Sequence, residues 1–276
     1  MKLKSFIRDP LALMGLILIA AILAVAILAP WLAPHDPLQV NTGHRLESPS
    51  SNYLLGTDHL GRCILSRIMY GARSSLGISF LVLAMIMSVG TLAGTLAGYV
   101  GGKLDDIIVS IIDVLLAFPG LILALVIAGM LGPSITNVMI ALAAVQWVGY
   151  ARIIRGMVAS IKEKEYVQAA RSGGGRHSSL VIRHILPNVL SPVIVLATLD
   201  MGSTILAISG MSFLGLGAWP PNPEWGAMLN DGRPYMYMAP WIMIFPGMAI
   251  LIAVMAFNSL GDGMRDFFDP REIRRI

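Results

Sequence analysis

The chain has 276 residues, of which 56% are hydrophobic and only 13% charged, with a mean hydropathy of +0.74 and a formal net charge of +4. Soluble domains carry about 25% charged residues, so half that share excludes an ordinary soluble globule and points to a polytopic membrane protein. The basic residues flank apolar stretches, which assigns them to membrane topology rather than to nucleic acid, and the single cysteine, Cys63, excludes an intrachain disulfide.

A spanning helix needs about 20 mainly apolar residues. Six segments meet that length, at about 11–33, 75–100, 107–131, 137–160, 188–211 and 241–262. The first follows the basic start MKLKSFIRD. Its apolar run exceeds the roughly 7–15 residues of a signal-peptide core, and more spans follow, so it reads as an uncleaved anchor. Six spans put both termini on one side. With the termini cytoplasmic, the inner segments 1–10, 101–106, 152–187 and 263–276 hold 15 of the 20 Lys and Arg; the outer segments 34–74, 132–136 and 212–240, of similar total length, hold 5. That bias predicts cytoplasmic N- and C-termini. The two long outer segments, rich in proline and glycine, are expected to pack as loops and short helices. The expectation is a single all-α domain over 1–276.

Gly90, Gly94, Gly98 and Gly102 recur every fourth residue in the second span. This spacing bares one helix face and lets another helix approach closely. It serves either tight packing in the bundle or a sliding surface between subunits or bundle halves. In the third span, Pro119 removes a backbone hydrogen bond and predicts a kink, structural or acting as a gating hinge. Asp113 of the same span is placed to cap or to pair with a basic residue near the inner interface. In the fifth span Asp200 falls near the middle of VIVLATLDMGSTILAISG. A carboxylate at the bilayer centre costs about 2.5–3.5 kcal/mol on insertion scales and normally faces the bundle interior or a water-filled path. Ser203 and Thr204, one turn on, share that polar face. Asp200 is therefore a candidate for lining a translocation path, the other reading being a buried hydrogen bond to a neighbouring helix. With Met201 beside it the acid suits a cation, but a single acid is not a metal site.

No P-loop, H-E-x-x-H, G-x-S-x-G or C-x-x-C occurs, and none of the five histidines sits deep in a span. No catalytic constellation or cofactor site is predicted, and work against a gradient would need energy from another chain. The chief cytoplasmic feature is the segment 161–187. Ser160 and Glu163 have capping-box spacing, unless the fourth span runs through them. KEYVQAAR predicts a short helix ended by Gly173, Gly174 and Gly175. Ser178 or Ser179 is placed to cap a second helix, SLVIRHIL, that runs up to Pro187. Small residues at Ala169 and Ala170 would let a partner backbone come close. The alternative is a basic amphipathic element resting on anionic lipid headgroups.

In this segment the spacing Q-A-A-x3-G-x11-L-P, formed by Gln168, Ala169, Ala170, Gly174, Leu186 and Pro187, resembles the "EAA" loop of permease subunits of binding-protein-dependent ABC importers. LGTDHLGRCILSRIMYGARSSL (55–76), LAFPGLILAL (116–125), SFLGLGAWPPNPEWGAMLNDGR (212–233) and FNSLGDGMRDFFDP (257–270) are similar to the C-type permeases of dipeptide, oligopeptide and nickel importers. ATLDMG (197–202), with its acid at Asp200, looks more like the nickel-type members. The resemblance implies a type I ABC importer transmembrane fold in a bacterial inner membrane. It also implies a homologous permease as partner, two ATPase subunits that bind ATP and magnesium, and an extracytoplasmic binding protein. The 161–187 loop would dock on the ATPase, and Trp219, Glu224 and Trp225 would lie at the outer mouth near the binding protein. Three positions depart from the family pattern. Gln168 stands for the usual glutamate, for which Glu165 one turn earlier can substitute; His184 stands for isoleucine; and Cys63 stands for aspartate on the outer face, where it suggests a labelling site. The implied cargo is nickel or a small nickel chelate, with di- or oligopeptides as the alternative. A channel or secondary carrier working without ATP, and a scaffold or sensor, are the competing classes.

Overall fold

The computed structural model describes residues 10–217 and 221–268, the side chains of 266–268 excepted. Regular structure among the described residues is helical, without a strand, and residues 33–63 are mostly turns and irregular backbone; an isolated antiparallel bridge joins Thr57 and Cys63. Among the described residues ten α-helices follow in order: α1 (Pro10–Leu32), α2 (Ile64–Val100), α3 (Gly102–Leu116), α4 (Gly120–Leu131), α5 (Ile135–Lys162), α6 (Glu165–Ser172), α7 (His177–Leu180), α8 (Leu186–Phe213), α9 (Trp225–Gly232) and α10 (Trp241–Phe268). A π-helical turn, Val181–Ile185, joins α7 to α8. Five stretches are long and apolar enough to cross a membrane, and α3 with α4 make a sixth if the pair is one broken span.

The spans match the apolar runs to within a few residues, with two exceptions. α2 begins at Ile64 rather than near 75, because the polar start ILSRIMYGARSS is packed by protein and need not be apolar. At 37 residues it is about 55 Å long, well beyond a hydrocarbon core of about 30 Å. The third span is not a single kinked helix. It breaks at Ala117–Pro119 into α3 and α4, which diverge by 87°. Pro119 has no amide hydrogen to continue the α3 ladder. The chain leaves α3 at Ala117, whose amide bonds the carbonyls of Asp113 and Val114.

The packing divides into two compact units. The first comprises Met1–Leu81, Ile127–Ile140 and Thr198–Ile276. Here α1 lies along α10. α1 is apolar on all sides, as a lipid-embedded helix is, but its buried face carries small residues at Ala12, Gly15, Ala26 and Ala29. A Cβ at Gly15 would stand 2.8 Å from the carbonyl oxygen of Ala256, so the two backbones nearly touch. The second unit comprises Val82–Val126 and Ala141–Ala197. Its core gathers Ile112, Val148 and Ala151, with Ala93, Ile108, Leu115 and Trp147 around them.

Candidate functional site

In the second unit, α2 and α5 approach through glycine. A Cβ at Gly90 would lie 2.9 Å from the carbonyl of Trp147, one at Gly94 2.6 Å from that of Ala151, and one at Gly98 2.6 Å from that of Arg155. Each step of four on α2 meets a step of four on α5, the signature of close small-residue packing. Gly102 is not part of this ridge. It lies beyond the end of α2 at φ +58°, with no atom within 4 Å of where a Cβ would be. The ridge has three glycines, and Gly101–Gly102 is where the backbone turns into α3. Ion pairs tie α5 to α3 as well: Arg155 grips Asp105 through two nitrogens, Nη2 to Oδ2 at 2.7 Å, and Arg152 pairs with Asp113. Asp113 thus takes the basic partner expected of it.

The segment 161–187 in the same unit is a helical hairpin. α5 runs on through Ser160 to Lys162, so Ser160 and Glu163 form no capping box. Lys164 leads into α6, and Arg176, in an extended conformation, precedes α7. Ser178 and Ser179 therefore fall inside α7 and do not cap it. Val167, Leu180 and Ile185 are buried and form the hairpin's small core. Between the legs, Gly174 has φ +79°. The amide of Gly175 bonds the carbonyl of Ala170, and that of Gly174 bonds Arg171, both at 3.1 Å. These two bonds make a Schellman ending for α6, which explains a glycine at the turn. Glu165 and Ala169 are exposed, Ala170 and Gln168 half-buried. On the return leg Leu186 opens α8 and Pro187 follows it, directly after the π-helical turn.

Four hydrogen bonds anchor the hairpin within its unit. Lys162 Nζ donates to the carbonyl of Gly98 at 3.1 Å, and Tyr99 Oη bonds His177 Nδ1 at 2.7 Å. The Gln168 carboxamide nitrogen donates to the carbonyl of Lys162 at 3.0 Å and to Glu163 Oε2 at 3.2 Å.

In the first unit, Asp200 is half-buried on α8. The hydroxyls of Ser203 and Thr204 both donate to the backbone carbonyl of Asp200 at 2.8 Å, so they are engaged with main chain rather than with the carboxylate. Asn258 of α10 brings a second polar side chain to this level: its Oδ1 lies 2.8 Å from where a Cβ on Gly202 would stand. Among the described residues no three His, Cys, Asp or Glu side chains converge as a metal site.

A second polar centre of this unit went unnoticed in the sequence. Arg62, Arg67 and Asp58 are all but fully buried, and Asp231 joins them. Arg62 Nε reaches Asp58 Oδ2 at 2.6 Å and Arg62 Nη2 reaches Asp231 Oδ2 at 3.4 Å. Arg67 lies 3.6 Å from Asp58 and donates to the carbonyls of Pro37 and Pro221 at 3.3 Å. Asp58 Oδ1 also accepts from the amides of Leu60 and Arg62. Gly61 makes the turn possible, since with φ +76° any side chain there would collide with the carbonyl of Asn41. Next to it, burial lowers the His59 pKa below 6.5, and the ring stacks on Tyr235 with centroids 5.4 Å apart. Cys63 is buried at 2% exposure, which removes it as a labelling site: an aqueous reagent has no path to the thiol.

Glu224 and Trp225 are buried too. Glu224 caps α9, accepting from the amides of Gly226 and Ala227 at 2.8 and 2.9 Å, while Trp225 Nε1 donates to the carbonyl of Ile68. They hold the loop to α2 rather than present side chains at its surface. Trp219 lies outside the described residues.

Comparison with known proteins adds the family. Residues 90–274 match the model of the binding-protein-dependent transport system inner membrane component, and residues 2–49 match the N-terminal TM domain of oligopeptide transport permease C. The chain is 43% identical to the dipeptide transport system permease protein DppC of Alkalihalophilus pseudofirmus, over 97% of its own length and 88% of that protein. It is 42% identical to the nickel transport system permease protein NikC of Escherichia coli K12, over 93% of each. It is 41% identical to the glutathione transport system permease protein GsiD of Escherichia coli O6:K15:H31, over 97% and 89%. Among solved structures, an inward-facing MetNI methionine ABC transporter shares the fold, with a TM-score of 0.57 at 18% identity over 75% of this chain and 98% of that one. The chain belongs to the inner membrane components of binding-protein-dependent transport systems and is a permease subunit of an ABC importer, a non-catalytic transmembrane component whose ATPase is a separate subunit.

Proposed function

We propose that this permease forms half of the translocation path for nickel or a small nickel chelate, beside a homologous permease in a bacterial inner membrane. The hairpin 161–187 couples it to one of two ATPases, and an extracytoplasmic binding protein delivers the cargo. The distribution of Lys and Arg supports cytoplasmic termini and a cytoplasmic hairpin. The observation that carries the coupling role is the shape of the hairpin. The turn and much of α6 are exposed, while Lys162 at the hairpin's start is tied to Gly98 and His177 just past the turn is tied to Tyr99, both at the end of the glycine-packed α2. A push on the tip reaches close-packed helices, which move as rigid bodies rather than yield.

A side chain at Gly174 would meet nothing of this chain within 4 Å and would instead project toward whatever docks there. Gly174→Asp is expected to uncouple ATP hydrolysis from uptake while the chain still inserts. Uptake at the normal rate would refute the docking role.

The cargo reading rests on Asp200 and its flanking ATLDMG. The dipeptide alternative draws on the 43% identity to DppC, which the identity to NikC matches within one per cent. Uptake of labelled nickel against a labelled dipeptide by the full complex separates them. Asp200→Asn is expected to reduce nickel uptake; an unchanged rate removes Asp200 from the path. The broken span at Ala117–Pro119 is a feature that secondary carriers also use. Flux through the reconstituted chain alone, with no ATPase present, would establish that class instead.

A further inference from the structure

We propose that Gln168 is a positioning residue, whose carboxamide sets α6 on the C-terminal end of α5 and whose work is done inside this chain rather than on the ATPase. The inference rests on the coupling role of the hairpin for its consequence, but not for its geometry.

Two acceptors face the Gln168 side chain: the carbonyl of Lys162, 3.0 Å away, and Glu163 Oε2, 3.2 Å away. A carbonyl and a carboxylate can only accept, so the group between them must donate, and the amide nitrogen is the end of Gln168 that does. Lys162 is the last residue of α5, and its carbonyl is among those that a helix end leaves without an intrahelical partner. Gln168 satisfies it from one turn into α6. The same Lys162 donates its ammonium to the carbonyl of Gly98. One residue thus joins three elements: its side chain holds α2, its backbone ends α5, and its carbonyl receives α6. A glutamate at 168 would have no donor for either acceptor and would set a second carboxylate against Glu163. Glutamine is therefore the residue this geometry requires.

The test uses the complete importer in proteoliposomes, with ATP hydrolysis and uptake measured together, and amide hydrogen exchange over 163–172 measured on the same complexes without nucleotide. Gln168→Glu is expected to speed exchange across α6 and to lower uptake per ATP by about 2- to 10-fold, the loss of one to two ordinary hydrogen bonds. The swap Glu163→Gln with Gln168→Glu rebuilds a donor–acceptor pair in the opposite sense. It restores the 163–168 contact but not the bond to the Lys162 carbonyl, so it should recover only part of the lost uptake per ATP, an interaction that a double-mutant cycle isolates. If Gln168→Glu leaves exchange across α6 unchanged, the amide does not position the helix and the proposal falls. It falls equally if Gln168→Glu couples better than the unmutated complex, for the side chain then acts on the ATPase. If exchange responds as expected while neither Gln168→Glu nor Gly174→Asp alters coupling, positioning stands and the docking role of the hairpin is what fails.

Discussion

The Asp58–Arg62–Arg67–Asp231 clasp and the 161–187 hairpin both bring charged and polar residues together, on opposite terms. In the clasp the two arginines are 2% exposed and their partners come from as far away as residue 231. In the hairpin most polar side chains are exposed, and anchoring falls to hydrogen bonds around Lys162, Gln168 and Tyr99. Buried charges are costly to desolvate and costlier still to leave unpaired, so a clasp built from them is a fixed point. Exposed contacts contribute about 1 kcal/mol or less each and can be traded for contacts with a partner. The clasp suits a part that keeps its shape, the hairpin a part that is gripped.

The comparison can be broken most severely at Asp58. Asp58→Asn leaves two buried guanidinium groups facing Asp231 alone. A loss of about 3–5 kcal/mol is expected, seen as a large drop in the thermal midpoint of the purified complex. Smaller in effect, Gly94→Val puts a branched side chain against the Ala151 carbonyl and should cost about 1–3 kcal/mol by overpacking. If α2 and α5 slide during transport, this variant loses uptake out of proportion to its melting point; if they are only packed, the two fall together. The smallest effect sharpens the clasp itself. His59 has a folded pKa depressed by burial below its unfolded value of 6.5. The unfolded chain therefore takes up the proton first, so the stability His59 contributes is intact above pH 6.5 and declines as the pH falls from there toward the folded pKa. His59→Phe keeps a ring against Tyr235 and should flatten that decline in a pH series of thermal melts.

Much of this fold could be read in advance, for a clear physical reason. Hydrocarbon demands long apolar runs, and α1, α5, α8 and α10 begin and end close to where those runs do. The hairpin was legible too, because three glycines must end a helix wherever they fall. What could not be read depends on partners remote in sequence. Nothing local to TDHLGR says that Arg62 will be buried beside Asp231, 169 residues on. Pro119 announces an interruption, but its local chemistry does not specify a divergence of 87°. Ser178 and Ser179 have the right chemistry for a cap, yet the turn at Gly174 starts α7 before them. At Gln168 the sequence registered only a departure from the family's acid. The purpose of the amide depends on how α5 ends, which no spacing records.

The pairing of α1 with α10 has a consequence for biogenesis. α1 leaves the ribosome well before α10, so the surface on which Gly15 rests at Ala256 does not exist while the intervening residues are made. At about 5–20 residues per second, α1 waits in the bilayer for roughly 10–50 s with its small-residue face open to lipid. Its unbroken apolar composition lets it wait there safely, and it also leaves the face available to any other newly inserted helix with a matching groove. Closure of the α1–α10 contact therefore waits for the residues after Trp241, and a chain released before them leaves α1 without that seat.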